Sequence, residues 1–184
     1  MKSAHVPERD ASRWTPQFGH FVLITEDVDR LASWYCAVLE MDMVLQTDRL
    51  AFLTFDGFHH RLVIAKRKAG TPAATEDRLV DHIAFKCSDH NDLAVQYARL
   101  KSKGHVPARS TNHGMITSLY YPDPDGTKIE LYADNFPTIA ALNEWFATGA
   151  FERDPIGADI DFEDAAVRLA AGEAAASVFA PPQT

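Results

Sequence analysis

Two histidines and one glutamate stand out in this 184-residue chain because each begins or interrupts an apolar run. His20 precedes Phe-Val-Leu-Ile, and His82 precedes Ile-Ala-Phe. Glu130 lies between Ile129 and Leu131, where a carboxylate is costly to bury unless a positive charge meets it. Two imidazoles and one carboxylate form the facial triad of non-haem iron(II) sites, which leaves the other metal positions open. The pattern therefore predicts a metal site at His20, His82 and Glu130.

The sequence around the two histidines repeats. Placing His20 over His82 aligns Asp27 with Asp89. Asp27 is a candidate N-cap of the first amphipathic helix, and Ser88 or Asp89 is the candidate for the second. A single strand histidine is more often an ordinary core or surface residue, but two at the same register favour a shared role. Each copy reads as a strand, a helix and three further strands. The predicted strands cover 18–24, 43–47, 50–55 and 59–65 in the first copy, and 81–87, 105–110, 115–121 and 128–133 in the second.

Strand geometry indicates which side chains share a face. Because successive side chains alternate, His20 lies with Val22 and Ile24, and Glu130 lies with Tyr132. If the two copies pair into one sheet, the faces that carry the three candidate ligands converge on its concave side. We therefore predict an α+β fold in which two βαβββ modules form one curved, open-barrel mixed sheet.

Composition suggests further segments outside the repeat. The first residues are polar and aperiodic, which predicts a flexible arm, and an aperiodic stretch between the copies predicts a linker. Two helical patterns, at 137–147 and an Ala-rich one at 163–176, predict a helical C-terminal extension. The expected bounds are 1–16 for the arm, 17–134 for the domain (modules at about 17–67 and 80–134, linker 68–79) and 135–184 for the extension.

Charge and cysteine content limit the partners and the compartment. A net charge of −8 argues against nucleic acid and anionic membrane surfaces as partners. No apolar run approaches the ~20 residues of a membrane span. The first ten residues lack the apolar region of a signal peptide, and Cys36 and Cys87 both fall in apolar patterns typical of reduced core thiols. We expect a cytoplasmic protein.

The stretch from Thr111 to Glu130 contains a longer pattern. A small or β-branched residue and a histidine are followed by an apolar–Tyr pair, two residues, Asp-Pro-x-Gly, three residues and the glutamate. The positions that meet it are Thr111, His113, Leu119, Tyr120, Asp123, Pro124, Gly126 and Glu130. This stretch resembles the signature of type I extradiol ring-cleavage dioxygenases. The repeated units, over about residues 18–133, resemble the vicinal oxygen chelate (glyoxalase/bleomycin-resistance/dioxygenase) superfamily in its short, one-domain form.

The resemblance implies an activity and a metal. It implies extradiol cleavage of a catechol-type diol with O2, giving a product of the 2-hydroxymuconic semialdehyde type. His20, His82 and Glu130 match the ligands of the family's iron. Fe(II) is the metal implied, and Mn(II) suits the same ligands. Since the short members commonly assemble, a homo-oligomer is also implied.

The resemblance also implies roles for residues around the metal. His113 and Tyr120 match residues that hydrogen-bond to the bound oxygen species and to the ring oxygen. The family's acid–base histidine falls at His60, on the strand predicted at 59–65, where His59 would face the opposite side of a regular strand. Whether His59 shares that role stays open, as does the choice between a monocyclic diol and a biaryl one such as 2,3-dihydroxybiphenyl.

Three alternatives share the fold. Glyoxalase-like isomerases need a carboxylate from the first module, but no Asp or Glu occurs between Gly57 and Thr75. Thiol transferases use two histidines and a glutamate, yet do not explain His60, His113 and Tyr120 together. A resistance protein that only binds an aromatic ligand, with or without metal, would need none of these three residues.

Overall fold

The computed structural model describes most of the chain. Its described residues are 4–8, 17–68, 70 and 80–180. The predictions for most of the arm and of the linker therefore lie outside the described residues. The chain divides into two compact units. The N-terminal unit comprises Ser12–His82 and Pro122–Lys128, and the C-terminal unit comprises Met1–Ala11, Ile83–Tyr121 and Ile129–Thr184.

The N-terminal unit contains one four-stranded sheet and one helix. The strands are β1 (Phe21–Thr25), β2 (Asp42–Gln46), β3 (Leu50–Thr54) and β4 (Leu62–Lys66), in the order β1-β4-β3-β2. β1 runs parallel to β4, and β3 runs antiparallel to both β2 and β4. Helix α1 (Val28–Leu39) begins where it does because the Asp27 carboxylate accepts a hydrogen bond from the Arg30 amide.

The core of this unit lies between α1 and the sheet. The buried side chains of α1 recur every three or four residues, as a helix with one apolar face requires, and they pack against β3 and β4. They are Val28, Leu31, Ala32, Tyr35 and Val38. Along β1, Val22 and Ile24 remain about half exposed. One face of β1 is therefore left outside the core, as the predicted alternation requires.

The C-terminal unit repeats this arrangement and extends it. Helix α2 (His90–Ser102) begins at Asp89, one of the two predicted caps, because the Asp89 carboxylate accepts from the Asp92 amide. The strand order is β5-β8-β7-β6-β9, so the first four strands follow the order of the first sheet. The strands are β5 (His82–Lys86), β6 (Arg109–Asn112), β7 (Ile116–Pro122), β8 (Lys128–Asp134) and β9 (Ala158–Asp159).

The predicted α+β fold of two βαβββ modules is confirmed. The strands form two sheets, of four and five strands, where the sequence predicted one curved sheet. The placement of His59 and His60 within the last strand of the first module is wrong, because β4 begins only at Leu62. Arg61 holds the preceding bend by ion pairing with the carboxylate of Asp56, which keeps the two histidines out of the strand.

The C-terminal extension is helical with one added strand. Its helices are α3 (Ile139–Ala147), α4 (Ala150–Arg153), α5 (Phe162–Ala170) and α6 (Ala175–Val178). The helix predicted at 163–176 ends early, because Gly172 takes a left-handed conformation (φ +88°). Strand β9 was not predicted, and it pairs with β6. None of the helices in the described ranges has the length and apolar character needed to cross a membrane.

Because the two modules repeat, truncating equivalent core leucines should destabilise the protein to a similar extent. Leu31 on α1 and Leu93 on α2 occupy equivalent positions and are 1% and 0% exposed. Leu31→Ala and Leu93→Ala should each lower the free energy of unfolding by about 2–5 kcal/mol, measured by urea denaturation. Val95→Ala on α2, at a side chain 61% exposed, is the control and should change it by less than about 0.5 kcal/mol. A large loss in one leucine variant alone would contradict equivalent packing of the two modules.

Candidate active site

The C-terminal unit brings together three of the predicted site residues. Glu130 is 3% exposed, and its Oε1 accepts a hydrogen bond of 2.8 Å from the hydroxyl of Tyr120. That hydroxyl also lies 2.9 Å from Nε2 of His113. Strand alternation explains the burial, because the flanking Ile129 and Leu131 turn to the opposite face and enter the core. Glu130, the acid that interrupts the apolar run, therefore lies at one end of a series of polar contacts that continues through Tyr120 to His113.

The environment of Tyr120 favours a protonated hydroxyl that donates a hydrogen bond. Burial raises the pKa of its hydroxyl above the ordinary value, and the hydrogen bond to Glu130 raises it further. The hydroxyl therefore stays protonated near neutral pH. Its neighbour Tyr121 faces the opposite side of the strand and is buried in the core.

The backbone of the extension supplies a contact to His113 that the sequence analysis missed. Nδ1 of His113 lies 2.6 Å from the carbonyl oxygen of Ile156. The signal available in the sequence was a second Asp-Pro-x-Gly, at residues 154–157, which repeats the pattern of the motif turn. A backbone carbonyl carries no side-chain signature, so residue types alone could not assign the contact.

The motif turn itself has a structural role. Asp123 Oδ1 accepts from the amides of Asp125 (2.9 Å) and Thr127 (2.8 Å), which closes the turn between β7 and β8. Its Oδ2 accepts from the hydroxyl of Tyr35 at 3.1 Å. Burial raises the pKa of Asp123, and the same burial together with Asp123 raises that of Tyr35. The turn is thereby fixed by a buried polar pair within the N-terminal unit.

The N-terminal unit holds a second group of predicted residues. The rings of His20 and His60 have centroids 4.6 Å apart, and Phe52 stacks on His60 at 4.9 Å. Nδ1 of His59 lies 2.6 Å from Nδ1 of His60, so these neighbours do not point to opposite faces as a regular strand would require. Desolvation, followed by the nearby His59 and His20, lowers the pKa of His60.

Arg61 places His20 beside His60. Its Nη1 donates to the carbonyl oxygens of Phe18 (2.6 Å) and Gly19 (2.9 Å), while its Nε and Nη2 bind the Asp56 carboxylate. One guanidinium therefore ties the residues immediately before β1 to the bend immediately before β4. Arg61 is a positioning residue that the sequence analysis did not single out.

His82 is oriented by a carboxylate. Its Nδ1 lies 2.8 Å from Oδ2 of Asp81, and because a carboxylate only accepts, Nδ1 donates. Lys128 binds the other oxygen of Asp81 at 2.6 Å. Hydrogen bonds from His82 and then Lys128 lower the pKa of Asp81. This arrangement orients the ring in the way that a carboxylate orients metal-binding histidines.

The three predicted metal ligands are divided between the two units. His20 and His82 belong to the N-terminal unit and Glu130 to the C-terminal unit. Across the ranges that the structure describes, no group of three or more His, Cys, Asp or Glu side chains is placed to hold a metal ion. The individual groups still suit a divalent metal, because His82 is an imidazole held by a carboxylate and Glu130 is a buried carboxylate.

A cavity of about 540 Å³ opens in the C-terminal unit. Tyr132 and Ile116 line it, and strand alternation puts them on the faces of β8 and β7 that carry Glu130 and Tyr120. Its other apolar walls come from the β6–β7 turn and the start of the extension: Met115, Phe136, Ile139 and Leu142. Lys86 and Asp134 form an ion pair in its wall. The volume and the apolar lining are typical of small-molecule sites.

Comparison with known families agrees with this arrangement. Residues 17–131 match the family described as the Glyoxalase/Bleomycin resistance protein/Dioxygenase superfamily. The chain belongs to this superfamily. The superfamily resemblance predicted from the sequence is thus confirmed.

Named members of the superfamily differ in how closely they match. Biphenyl-2,3-diol 1,2-dioxygenase 2 of Rhodococcus globerulus is 38% identical over 152 residues, which cover 80% of this chain and 78% of that protein. Biphenyl-2,3-diol 1,2-dioxygenase 3 of the same organism is 36% identical over 78% of this chain and 76% of its own. The crystal structure of lactoylglutathione lyase from Agrobacterium tumefaciens superposes with a TM-score of 0.54 at 17% identity, covering 66% of this chain and 96% of that one. This last likeness shows the fold alone.

Removing the hydroxyl of Tyr120 should destabilise the protein. Tyr120→Phe takes a donor from a carboxylate that is 3% exposed, so we expect the free energy of unfolding to fall by about 1–3 kcal/mol. Urea denaturation of the metal-free protein at neutral pH measures it. Tyr132→Phe, on the same strand face as Glu130 but partly exposed, is the matched control. Equal effects of the two substitutions would show that the Tyr120 hydroxyl does not stabilise Glu130.

Proposed function

We propose that this protein is an extradiol ring-cleavage dioxygenase that opens a catechol-type aromatic diol with O2. The observation that carries the proposal is the hydrogen-bonded series of Glu130, Tyr120 and His113, three residues of the signature motif. The named relatives, which act on biphenyl-2,3-diol by their names, match this chain over most of its length. Both lines of support point to the same chemistry.

We assign His20, His82 and Glu130 as the ligands of an Fe(II) ion, with Mn(II) as the alternative metal. The support is the sequence match and the donor chemistry, since two imidazoles and one carboxylate leave positions open for a substrate. A bound metal of this kind would hold the two oxygens of the diol and lower their pKa. His82 is already oriented for ligation by Asp81.

His60 is our candidate for the acid–base residue. Its lowered pKa keeps the imidazole neutral near pH 7, so it can accept a phenolic proton from the diol. Stacking on Phe52 and contact with His59 restrict the orientation of its ring. The same group would later return the proton to the opening ring. His60 thus moves one proton in each direction during a turnover.

We assign Tyr120 and His113 to the oxygen side of the site. Tyr120 presents a hydroxyl that stays protonated, and His113 lies within hydrogen-bond distance of it. Preorganised donors of this kind stabilise charge that develops on oxygen atoms. We therefore propose that both residues hydrogen-bond to oxygen atoms of the substrate and of O2.

The cavity favours a diol with an apolar substituent. Aliphatic and aromatic side chains line most of it, and about 540 Å³ is enough for a second aromatic ring. We propose a substrate similar to 2,3-dihydroxybiphenyl, cleaved next to the diol so that both atoms of O2 enter a 2-hydroxymuconic semialdehyde-type product. This choice also agrees with the names of the two Rhodococcus relatives.

The cysteines and the net charge support a cytoplasmic setting and a small-molecule partner. Cys36 and Cys87 are both free, and burial raises the pKa of Cys87 to about 12, which makes it an unreactive core thiol. These thiols support a reducing, cytoplasmic setting. A net charge of −8 supports partners other than nucleic acid and membrane surfaces. We also propose that the protein acts as a homo-oligomer.

The activity should appear on reconstitution with iron. We expect the protein, loaded anaerobically with Fe(II), to consume one O2 per diol and form a yellow product from at least one of catechol, 3-methylcatechol and 2,3-dihydroxybiphenyl. His60→Ala should lower kcat by about 10²–10⁴-fold, because it removes the acid–base group. An oxygen electrode and absorbance spectra follow the reaction, and iron content is measured in each sample.

Controls separate the outcomes. His105→Ala, at a histidine outside the proposed site, should keep the activity of the unmodified protein. Diol binding without oxygen uptake would contradict the enzyme and favour an aromatic-ligand binding protein. Full turnover by His60→Ala, at unchanged iron content, would refute the role of His60 alone.

A further inference from the structure

The extension reaches His113 through a backbone carbonyl. Nδ1 of His113 lies 2.6 Å from the oxygen of Ile156. A carbonyl oxygen can only accept, so the proton of this hydrogen bond resides on Nδ1. Nε2, the other ring nitrogen, faces the Tyr120 hydroxyl at 2.9 Å.

We infer that the turn of residues 154–157, hereafter the clamp turn, is a positioning element that fixes the tautomer of His113 and aims its Nε2 at Tyr120. The inference rests on the proposed function, in which His113 and Tyr120 serve the oxygen side of the site. It assigns to the extension a role in catalysis beyond covering the domain.

The clamp turn is built to lie directly on His113. Asp154 Oδ1 accepts from the amide of Gly157 at 2.9 Å, which closes the turn. Gly157 has φ +78°, and a Cβ on it would lie 2.1 Å from the oxygen of Asn112 and 2.7 Å from Cα of His113. Only glycine permits so close an approach, so the position of the Ile156 carbonyl depends on Gly157.

Strand β9 anchors the clamp turn to the strand that precedes His113. Ala158 pairs with Asn112, and Asp159 pairs with Thr111. The Asp159 carboxylate also accepts from the Nε of Arg109 (2.9 Å) and the hydroxyl of Thr111 (3.1 Å). The residues just after the clamp turn are thus fixed to the residues just before His113.

The tautomer decides whether Nε2 of His113 can accept a hydrogen bond. In the neutral ring, a proton on Nδ1 leaves Nε2 as an acceptor, and Nε2 lies 2.9 Å from the Tyr120 hydroxyl. The opposite tautomer would turn the lone pair of Nδ1 toward the oxygen of Ile156, which can only accept. The Ile156 carbonyl therefore selects the tautomer whose Nε2 is an acceptor.

The test combines a tautomer measurement with kinetics. Long-range ¹H–¹⁵N spectra of the metal-free protein, with His113→Ala for assignment, should show His113 protonated at Nδ1. Gly157→Ala and Asp154→Ala should weaken that signature and lower kcat of the iron-loaded enzyme about 10–100-fold, as loss of an orienting partner does. KM should change less than about threefold, because substrate contacts remain.

Two matched variants distinguish positioning from general damage. Asp154→Asn keeps an oxygen that can accept from Gly157, so it should retain the wild-type tautomer and kcat. Asp161→Ala removes the cap of α5 within the same extension, since Asp161 accepts from the amides of Glu163 and Asp164. It should lower the melting temperature and leave kcat and the tautomer unchanged.

Three results would overturn the inference. One is a wild-type His113 that is not protonated at Nδ1. A second is that Gly157→Ala and Asp154→Ala both keep the wild-type tautomer and kcat, although His113→Ala lowers kcat. The third is a failure of Asp154→Asn to rescue the defect of Asp154→Ala. Full activity of His113→Ala would instead contradict the role of His113 in the proposed function. The tautomer spectra would still show whether the clamp turn fixes the tautomer of His113.

Discussion

A carboxylate buried in an apolar strand must be matched by polar partners, and much of the C-terminal unit serves that requirement. Glu130 is 3% exposed because its neighbours Ile129 and Leu131 are core residues. The Tyr120 hydroxyl donates to it, Nε2 of His113 lies 2.9 Å from that hydroxyl, and the Ile156 carbonyl accepts from Nδ1 of His113. The buried acid therefore has a hydrogen-bond donor, and contacts through Tyr120 and His113 connect it to the backbone of the extension.

The internal repeat explains how one sequence supplies different chemistry from two similar modules. Both modules begin their helices at an aspartate and order their first four strands in the same way. The N-terminal unit then groups two histidines with an aromatic ring, whereas the C-terminal unit groups a carboxylate, a tyrosine and a histidine. The shared fold fixes the backbone, and the side chains carried on and beside the strands decide the function.

The sequence predicted the repeat, both helix caps and the fold class, because apolar periodicity and capping are local and strong signals. It misplaced His59 and His60 because the bend before β4 depends on Arg61, whose partners Asp56 and Phe18 follow no periodic pattern. It missed β9 because two residues carry too little pattern, and this strand exists through pairing with β6. The contact of Ile156 was inaccessible for the same reason, since tertiary pairing places a backbone atom there.

The central claim is that Glu130, with His20 and His82, holds Fe(II). Anaerobic titration of Fe(II) into the purified protein tests it most directly, with Glu130→Gln compared to Glu144→Gln, a control at an exposed residue of α3. We predict one Fe(II) per chain in the unmodified and control proteins. Affinity should be at least about 100-fold weaker in Glu130→Gln, since even loss of an outer partner weakens metal binding about 10–100-fold. Equal affinity in Glu130→Gln and the unmodified protein would contradict the claim.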